Sequence, residues 1–129
     1  MVCLDSDIII DFLRNDSKTV SKLKDFQDEG VGLSTTTINC FELFKGAMRS
    51  KQKDARERLS VLLNKLQILD FNILASEKAA EISEDLRLKG TPLDPMDLLI
   101  ASIVLANKEK LFTRNVKHFE RIKELILYN

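Results

Sequence analysis

Glycine, proline, cysteine and histidine are all scarce in this chain of 129 residues, which holds 4 Gly, 2 Pro, 2 Cys and 1 His. So little Gly and Pro excludes a collagen-like, linker-dominated or disordered chain. The two cysteines, Cys3 and Cys40, lie in the apolar stretches VCL and INCFEL. With one histidine they cannot complete even one four-ligand Cys/His zinc site, and they read as buried free thiols in a reducing compartment. No basic segment followed by an apolar stretch opens the chain. The longest apolar run, residues 98–106, is broken only by Ser102 and is far short of the ~20 residues needed to span a bilayer. A soluble, cytoplasmic protein with no membrane partner is expected. Charge imbalance is missing too: 20 Lys+Arg meet 20 Asp+Glu, for a formal net charge of zero. That argues against a uniformly basic surface for gripping nucleic acid.

What is present suffices for one compact domain over residues 1–129, since 44% of the residues are hydrophobic and no repeat, low-complexity tract or linker divides them. VCLD is a short β-prone run ending in an acid, and it feeds SDIIIDFLRND, whose Ile8, Ile9, Phe12 and Leu13 fit one helical face. Residues 17–28 continue with Val20, Leu23 and Phe26 at helical spacing, and Gly30 is placed to stop them. VGLS then predicts a second strand, followed by helices near 35–48 and 54–66. LQILD predicts a third strand, followed by helices near 75–88 and 95–107. A strand around LFT, a short helix near 116–122 and a last strand ILY complete the order. Short strands alternating with helices imply parallel pairing through crossovers, hence an α/β/α three-layer sandwich with a short, mostly parallel sheet.

In such sheets ligands bind outside the carboxyl ends of the strands, where neighbouring crossovers leave on opposite faces. Asp5 ends the first strand, either as a site residue or as the cap of the next helix, a task Ser6 also suits. Asp97 lies in the first turn of a helix that is apolar almost all the way round, which marks it as buried. Asp94 as N-cap, Pro95 as first helical residue and Asp97 as the third-position acid of a capping box would explain its tolerance. The same placement aims Asp97 at the mouth of the sheet, so the two readings are compatible. In the helix after strand two, Ile38, Cys40, Phe41, Phe44 and Met48 form an apolar arc. Opposite them Thr35, Asn39, Glu42 and Gly46 form a stripe that suits either a cleft wall or a solvated face. LFTRN brings Thr113, Arg114 and Asn115 to the same edge, as a hydroxyl donor, a phosphate-binding cation and a carbonyl ligand, or as ordinary turn residues.

If Asp5, Glu42 and Asp97 converge, two bare carboxylates ~5 Å apart repel by about 3 kcal/mol at an effective dielectric near 20. Such a cluster needs a cation or shared protons, and oxygen-only ligands favour Mg²⁺ or Mn²⁺. A divalent ion promotes water ionisation and screens a phosphodiester during in-line attack, which is nuclease chemistry.

The order LDSDIII, TTINCFELFKGA, PLDPMDLLIAS, LFTRNVKHF resembles the PIN-domain toxins of the VapC type over essentially the whole chain. The resemblance implies a Mg²⁺- or Mn²⁺-dependent endoribonuclease that cuts tRNA or rRNA and forms a homodimer. It also implies that the enzyme is blocked by a VapB-like antitoxin, whose chain sends a basic side chain towards the acids. Asp5, Glu42 and Asp97 then occupy the three acidic, metal-holding positions, and Asn115 the fourth. Ser6 matches the hydroxyl residue after the first acid, and Thr113 the threonine of the T-R-N element. Asp94 is an extra carboxylate, read as a cap before an outer ligand. His118 departs from the acid that many relatives carry there and is expected to alter a surface contact or a helix cap. Asp7 and Asp11 read as solvated partners of the helix dipole, with Asp7 also able to support the site acids. Basic residues such as Arg14, Lys45, Arg49 and Arg114 would flank the cleft.

Three rivals use the same residues differently. A haloacid-type phosphatase would take Asp5 of Asp5-Ser6-Asp7 as nucleophile, but no Gly-containing turn follows it. A receiver-like module would use Asp70 as phosphoacceptor, but it lacks a paired acid at strand one and a lysine at the last strand. A non-catalytic assembly module would use only the scaffold. The amphipathic helices near 17–28 and 54–66 suit a dimer contact, an antitoxin groove or simply the domain's own core.

Overall fold

The first strand, β1 (Val2–Leu4), is three apolar residues, all buried, with neighbours on both sides. The computed structural model, which describes residues 1–128, places it second from the edge of a four-stranded sheet of order β3-β2-β1-β4. Val2 pairs in register with Leu33 of β2 (Leu33–Thr36) and with Lys110 of β4 (Lys110–Phe112), while Thr35 of β2 pairs with Ile68 of β3 (Gln67–Leu69). Every ladder is parallel. Parallel strands need crossovers, and the helices supply them: α1 (Ser6–Leu13) and α2 (Ser17–Asp28) join β1 to β2, and α3 (Thr37–Arg49) and α4 (Ala55–Leu63) join β2 to β3. The pair α5 (Ile73–Leu88) and α6 (Pro95–Ala106) joins β3 to β4, after which comes α7 (Val116–Phe119).

The pleat divides the interior in two. Val2 and Leu4 face a core with Ile8, Ile9, Leu23, Phe26, Leu43 and Leu59, whereas Cys3 faces the opposite core with Ala75, Ile82, Ile100, Ile103 and Phe119. Successive strand residues point to opposite faces, so this alternation fixes helices on both sides and gives the expected α/β/α layering. The sense of layering changes at β1, because its two neighbours are reached over opposite faces. The carboxyl end of β1 is therefore the crevice at which ligands bind in open parallel sheets.

Several expected boundaries move, each for a local reason. β2 begins at Leu33 and extends to Thr36, two residues later than VGLS, because Gly30 (φ +74°) and the Val31 N–H to Phe26 carbonyl bond still close α2. Thr35 is thus a strand residue, fully buried, with its hydroxyl donating to the Leu4 carbonyl at 2.8 Å. α3 starts at Thr37 since Thr36 caps it, and its inward face centres on Asn39 and Leu43. Phe41 and Met48, expected in the apolar arc, are instead 52% and 65% exposed. ILY forms no fifth strand among the described residues. It makes one parallel bridge, Leu111 with Leu127, and is held by Tyr128, whose ring meets Phe26 and Phe112 edge-on at 4.8 and 5.7 Å. The stripes of α2 and α4 mostly serve the chain's own core through Leu23, Phe26, Leu59 and Leu63. An apolar groove of about 970 Å³ remains between these helices, lined by Phe12, Val20, Val61, Leu62 and Leu66 among others.

Candidate functional site

Asp5 stands one residue beyond β1 and caps α1, its Oδ1 accepting from the Ser6 N–H at 2.8 Å. Capping and site position coincide in this one residue. The β1–β4 ladder continues one step past the strands, with the Asp5 N–H donating to the Phe112 carbonyl at 3.0 Å. That step brings Thr113 alongside, and its hydroxyl donates to Asp5 Oδ2 at 2.6 Å. From the other side, the wholly buried Asn39 donates to Asp5 Oδ1 at 3.0 Å. Each Asp5 oxygen therefore has a donor that fixes its rotamer.

Glu42, one turn after Asn39 on α3, accepts the Ser6 hydroxyl on Oε1 at 2.9 Å. Asp94 caps α6, accepting the Met96 N–H at 2.9 Å, with Pro95 as the first helical residue. Asp97 closes no capping box. Its Oδ2 faces His118 Nδ1 at 3.5 Å, and the same ring nitrogen lies 2.8 Å from Asn115 Nδ2. The histidine expected to alter a surface contact or a cap thus touches two of the four site positions. Asp5, Ser6, Glu42, Asp97, Arg114 and Asn115 line one cleft of about 440 Å³ at the carboxyl edge of the sheet. Thr113 stands behind it, holding Asp5, and Asp94 behind Asp97.

Asp7 shares the cleft and is neither solvated nor a simple dipole partner. Its Oδ2 accepts the Arg114 N–H at 3.0 Å, while its Oδ1 is buried with no hydrogen-bond partner. Asp11 is likewise engaged, taking Arg114 Nε at 3.1 Å. The sequence signal for Asp7 was its i+2 spacing from Asp5, but only the return of the 113–115 loop turns that spacing into a contact. Asp70 is exposed at the end of edge strand β3 and is absent from the cleft lining, which leaves the receiver-like reading without a site.

The electrostatics follow from this crowding. Burial holds the Glu42 carboxyl above the usual range, and Asp5, Asp97 and Asp94 push it the same way, against the Ser6 bond. Burial also raises Asp97, with Asp5 and Asp94 adding and His118 opposing. Asp7 is raised by burial and then by Asp5, against its bond from the Arg114 backbone. Three carboxyls raised by burial and by the shared neighbour Asp5, only partly offset by Arg114 at Asp7 and His118 at Asp97, one with an unpartnered buried oxygen, form an all-oxygen donor set suited to a hard divalent cation. Among the described residues no three His, Cys, Asp or Glu side chains already stand together at ligating distance. Mutual repulsion of bare carboxylates accounts for that spacing.

The same chain has clear relatives. The sequence model of the PIN domain matches residues 2–125. The chain is 36% identical over 98 residues to Ribonuclease VapC2 of Rickettsia felis, covering 75% of this chain and 73% of that protein. It is 25% identical over 122 residues to the tRNA(fMet)-specific endonuclease VapC of Shigella flexneri, covering 92% and 89%. In three dimensions it superposes on the crystal structure of VapBC2 from Rickettsia felis bound to a promoter DNA fragment, with TM-score 0.91 and 30% identity over 100% of this chain and 98% of that one.

Proposed function

Because the chain belongs to the PIN domain family, alongside the VapC ribonucleases, we propose that it is a divalent-metal-dependent endoribonuclease acting as the toxin of a toxin–antitoxin pair. The observation that carries this reading is the convergence of Asp5, Glu42, Asp97 and Asn115, from three crossovers and the loop after β4, in one cleft at the sheet's switch point. Asp5, Glu42 and Asp97 would hold Mg²⁺ or Mn²⁺, with Asn115 as a neutral oxygen donor. When bound, the cation supplies charge that screens the acids and the phosphodiester and eases the ionisation of water. Asp5 is pinned at both oxygens, so it serves as the fixed reference of the site. Glu42, held by the Ser6 hydroxyl at 2.9 Å, would face the cation from the α3 side of the cleft. His118, held by Asn115, stands beside Asp97 on the outer side of the donor set. Arg114, 65% exposed beyond its contact with Asp11, is placed to meet a substrate phosphate.

The partners follow the relatives. RNA of the tRNA or rRNA class is the substrate, in keeping with the tRNA(fMet) endonuclease, and a VapB-like antitoxin is the regulator, in keeping with the VapBC2 complex. The apolar groove between α2 and α4 suits an antitoxin helix, and a homodimer in the cytoplasm completes the reading. No helix among the described residues is long and apolar enough to cross a membrane. The test is RNA cleavage by purified protein with Mg²⁺ or Mn²⁺, with EDTA, and with Asp5→Asn and Asp97→Asn. Cleavage should stop with EDTA and fall about 100-fold or more in each variant, equivalent to ~2.7 kcal/mol of activation free energy. Parental cleavage by both variants refutes the assignment.

A further inference from the structure

Asn39 lies at the third position of α3 with no exposed surface, yet its side chain is wholly polar. A primary amide offers two acceptor lone pairs and two N–H donors, and here all four are used. Its Oδ1 accepts from the Thr36 N–H at 3.3 Å and from the Thr36 hydroxyl at 2.7 Å. Its Nδ2 donates to Asp5 Oδ1 at 3.0 Å and to the Ser6 hydroxyl at 2.9 Å. Ser6, having accepted one hydrogen, passes its own to Glu42 Oε1 at 2.9 Å. Every hydrogen therefore points the same way, from Thr36 through Asn39 to two carboxylates. A flipped amide would set Oδ1 against Asp5 Oδ1 and Nδ2 against the Thr36 N–H, so the orientation is dictated from both ends.

The capping box at the start of α3 explains only the acceptor half of this side chain. We propose that Asn39 is a positioning residue whose two N–H donors fix the rotamers of Asp5 and, through Ser6, of Glu42 before a divalent cation arrives. This role rests on the nuclease reading above. Neutral donors can hold two repelling carboxylates in place without supplying the countercharge that a lysine would, so the cluster keeps its charge for the cation.

N39D separates the two halves. The substituted side chain is isosteric and still accepts from Thr36, so the cap survives, but the donors to Asp5 and Ser6 are gone and a carboxylate oxygen faces Asp5 in their place, a change of charge that Ser6→Ala does not make. Ser6→Ala is the companion, cutting only the branch to Glu42. Both variants, their combination and the parent are compared by thermal melting, by calorimetric titration with Mg²⁺, and by kcat and KM for RNA cleavage. Each single variant should bind Mg²⁺ about 10- to 100-fold more weakly and lose kcat, with KM for RNA little changed. The double variant should be less impaired than the product of the two single effects, because Ser6 lies downstream of Asn39. A folded N39D with parental Mg²⁺ affinity and kcat overturns the proposal. If N39D does not fold, parental Mg²⁺ affinity in Ser6→Ala overturns it, and weakened affinity there supports it. Absence of Mg²⁺ binding by the parent is a separate result that overturns the nuclease reading and, with it, this role.

Discussion

Replacing Glu42 by Gln should make the metal-free protein more stable while disabling it. The substitution keeps an acceptor for the Ser6 hydroxyl and removes one charge from a cleft where Asp5, Asp97 and Asp94 all oppose it. A like-charge pair ~8 Å apart at an effective dielectric near 40 costs about 1 kcal/mol. With allowance for the solvent that screens this part-exposed group, about 1 kcal/mol in total is a fair expectation. Unfolding entropy of ~2.1 cal/mol/K per residue converts that to a Tm rise of roughly 4 °C for a chain of this size. The pH dependence carries the sign. Glu42 has a folded-state pKa above its unfolded value, so in acid, with both states protonated, there is no penalty. As pH rises through the ordinary carboxylate range towards the raised value, the unfolded chain ionises first and folded stability falls. The Tm of E42Q minus that of the parent, measured by calorimetry in EDTA, should therefore be near zero around pH 4 and reach its full value near pH 7. Saturating Mg²⁺ should raise the parent's Tm and raise E42Q's less. A difference at pH 7 that is zero or negative, or one that persists unchanged at pH 4, refutes the account of a carboxylate opposed by burial and by its neighbours' charge.

Two other substitutions probe different parts of the structure. Thr113→Val keeps the shape of the side chain but removes the donor to Asp5 and the acceptor for the Asn115 N–H. It should cost about 1–3 kcal/mol of stability and lower cleavage 10- to 100-fold, with Thr113→Ser restoring both; a parental rate in Thr113→Val would show that Asp5 needs no such support. Ile100→Ala, deep in α6 with no exposed surface, should cost about 2–5 kcal/mol and lower Tm by roughly 7–18 °C. A loss under 1 kcal/mol in a urea titration would mean that α6 is not the tightly packed wall it is taken to be.

The layered fold was legible because short β-prone runs such as VCL alternate with helices whose ends are marked, by Gly30 after α2 and by Pro95 at the start of α6. The ends of β2 and the face of α3 were not. Where β2 begins depends on the close of α2 at Gly30 and Val31 and also on pairing with Val2, a contact no local window contains. The inward face of α3 includes Asn39, and a buried amide cannot be told from a solvated one until its four partners are in place. Asp5 at a strand end, Asp97 in the first turn of a helix and Glu42 on a polar helical stripe could be placed near one sheet edge from sequence, and the structure brings the three into one cleft. The cap at Asp94 was also read from sequence, whereas its reciprocal bond to Asp97 was not formed because His118 stands there instead. The contacts of Asp7 and Asp11 depend on a loop that returns more than a hundred residues later, and that of His118 with Asp97 on how α7 meets α6; sequence spacing carries no trace of either.

The pairing of β1 with β4 has a consequence for the order in which the protein is made. β1 needs as its neighbour a strand synthesised about a hundred residues after it, and the Thr113 to Asp5 bond closes a separation of 108 residues. Until residues 110–115 have left the ribosome, Asp5 lacks one of its three donors, the one to Oδ2, and the cleft lacks Arg114 and Asn115. Contacts this distant form slowly and late, since loop closure must precede any gain from pairing. A growing chain, or one cut short before β4, therefore carries the three acids without a working arrangement of them. For an enzyme that attacks RNA, this topology withholds the arrangement until β4 and the loop after it have been translated.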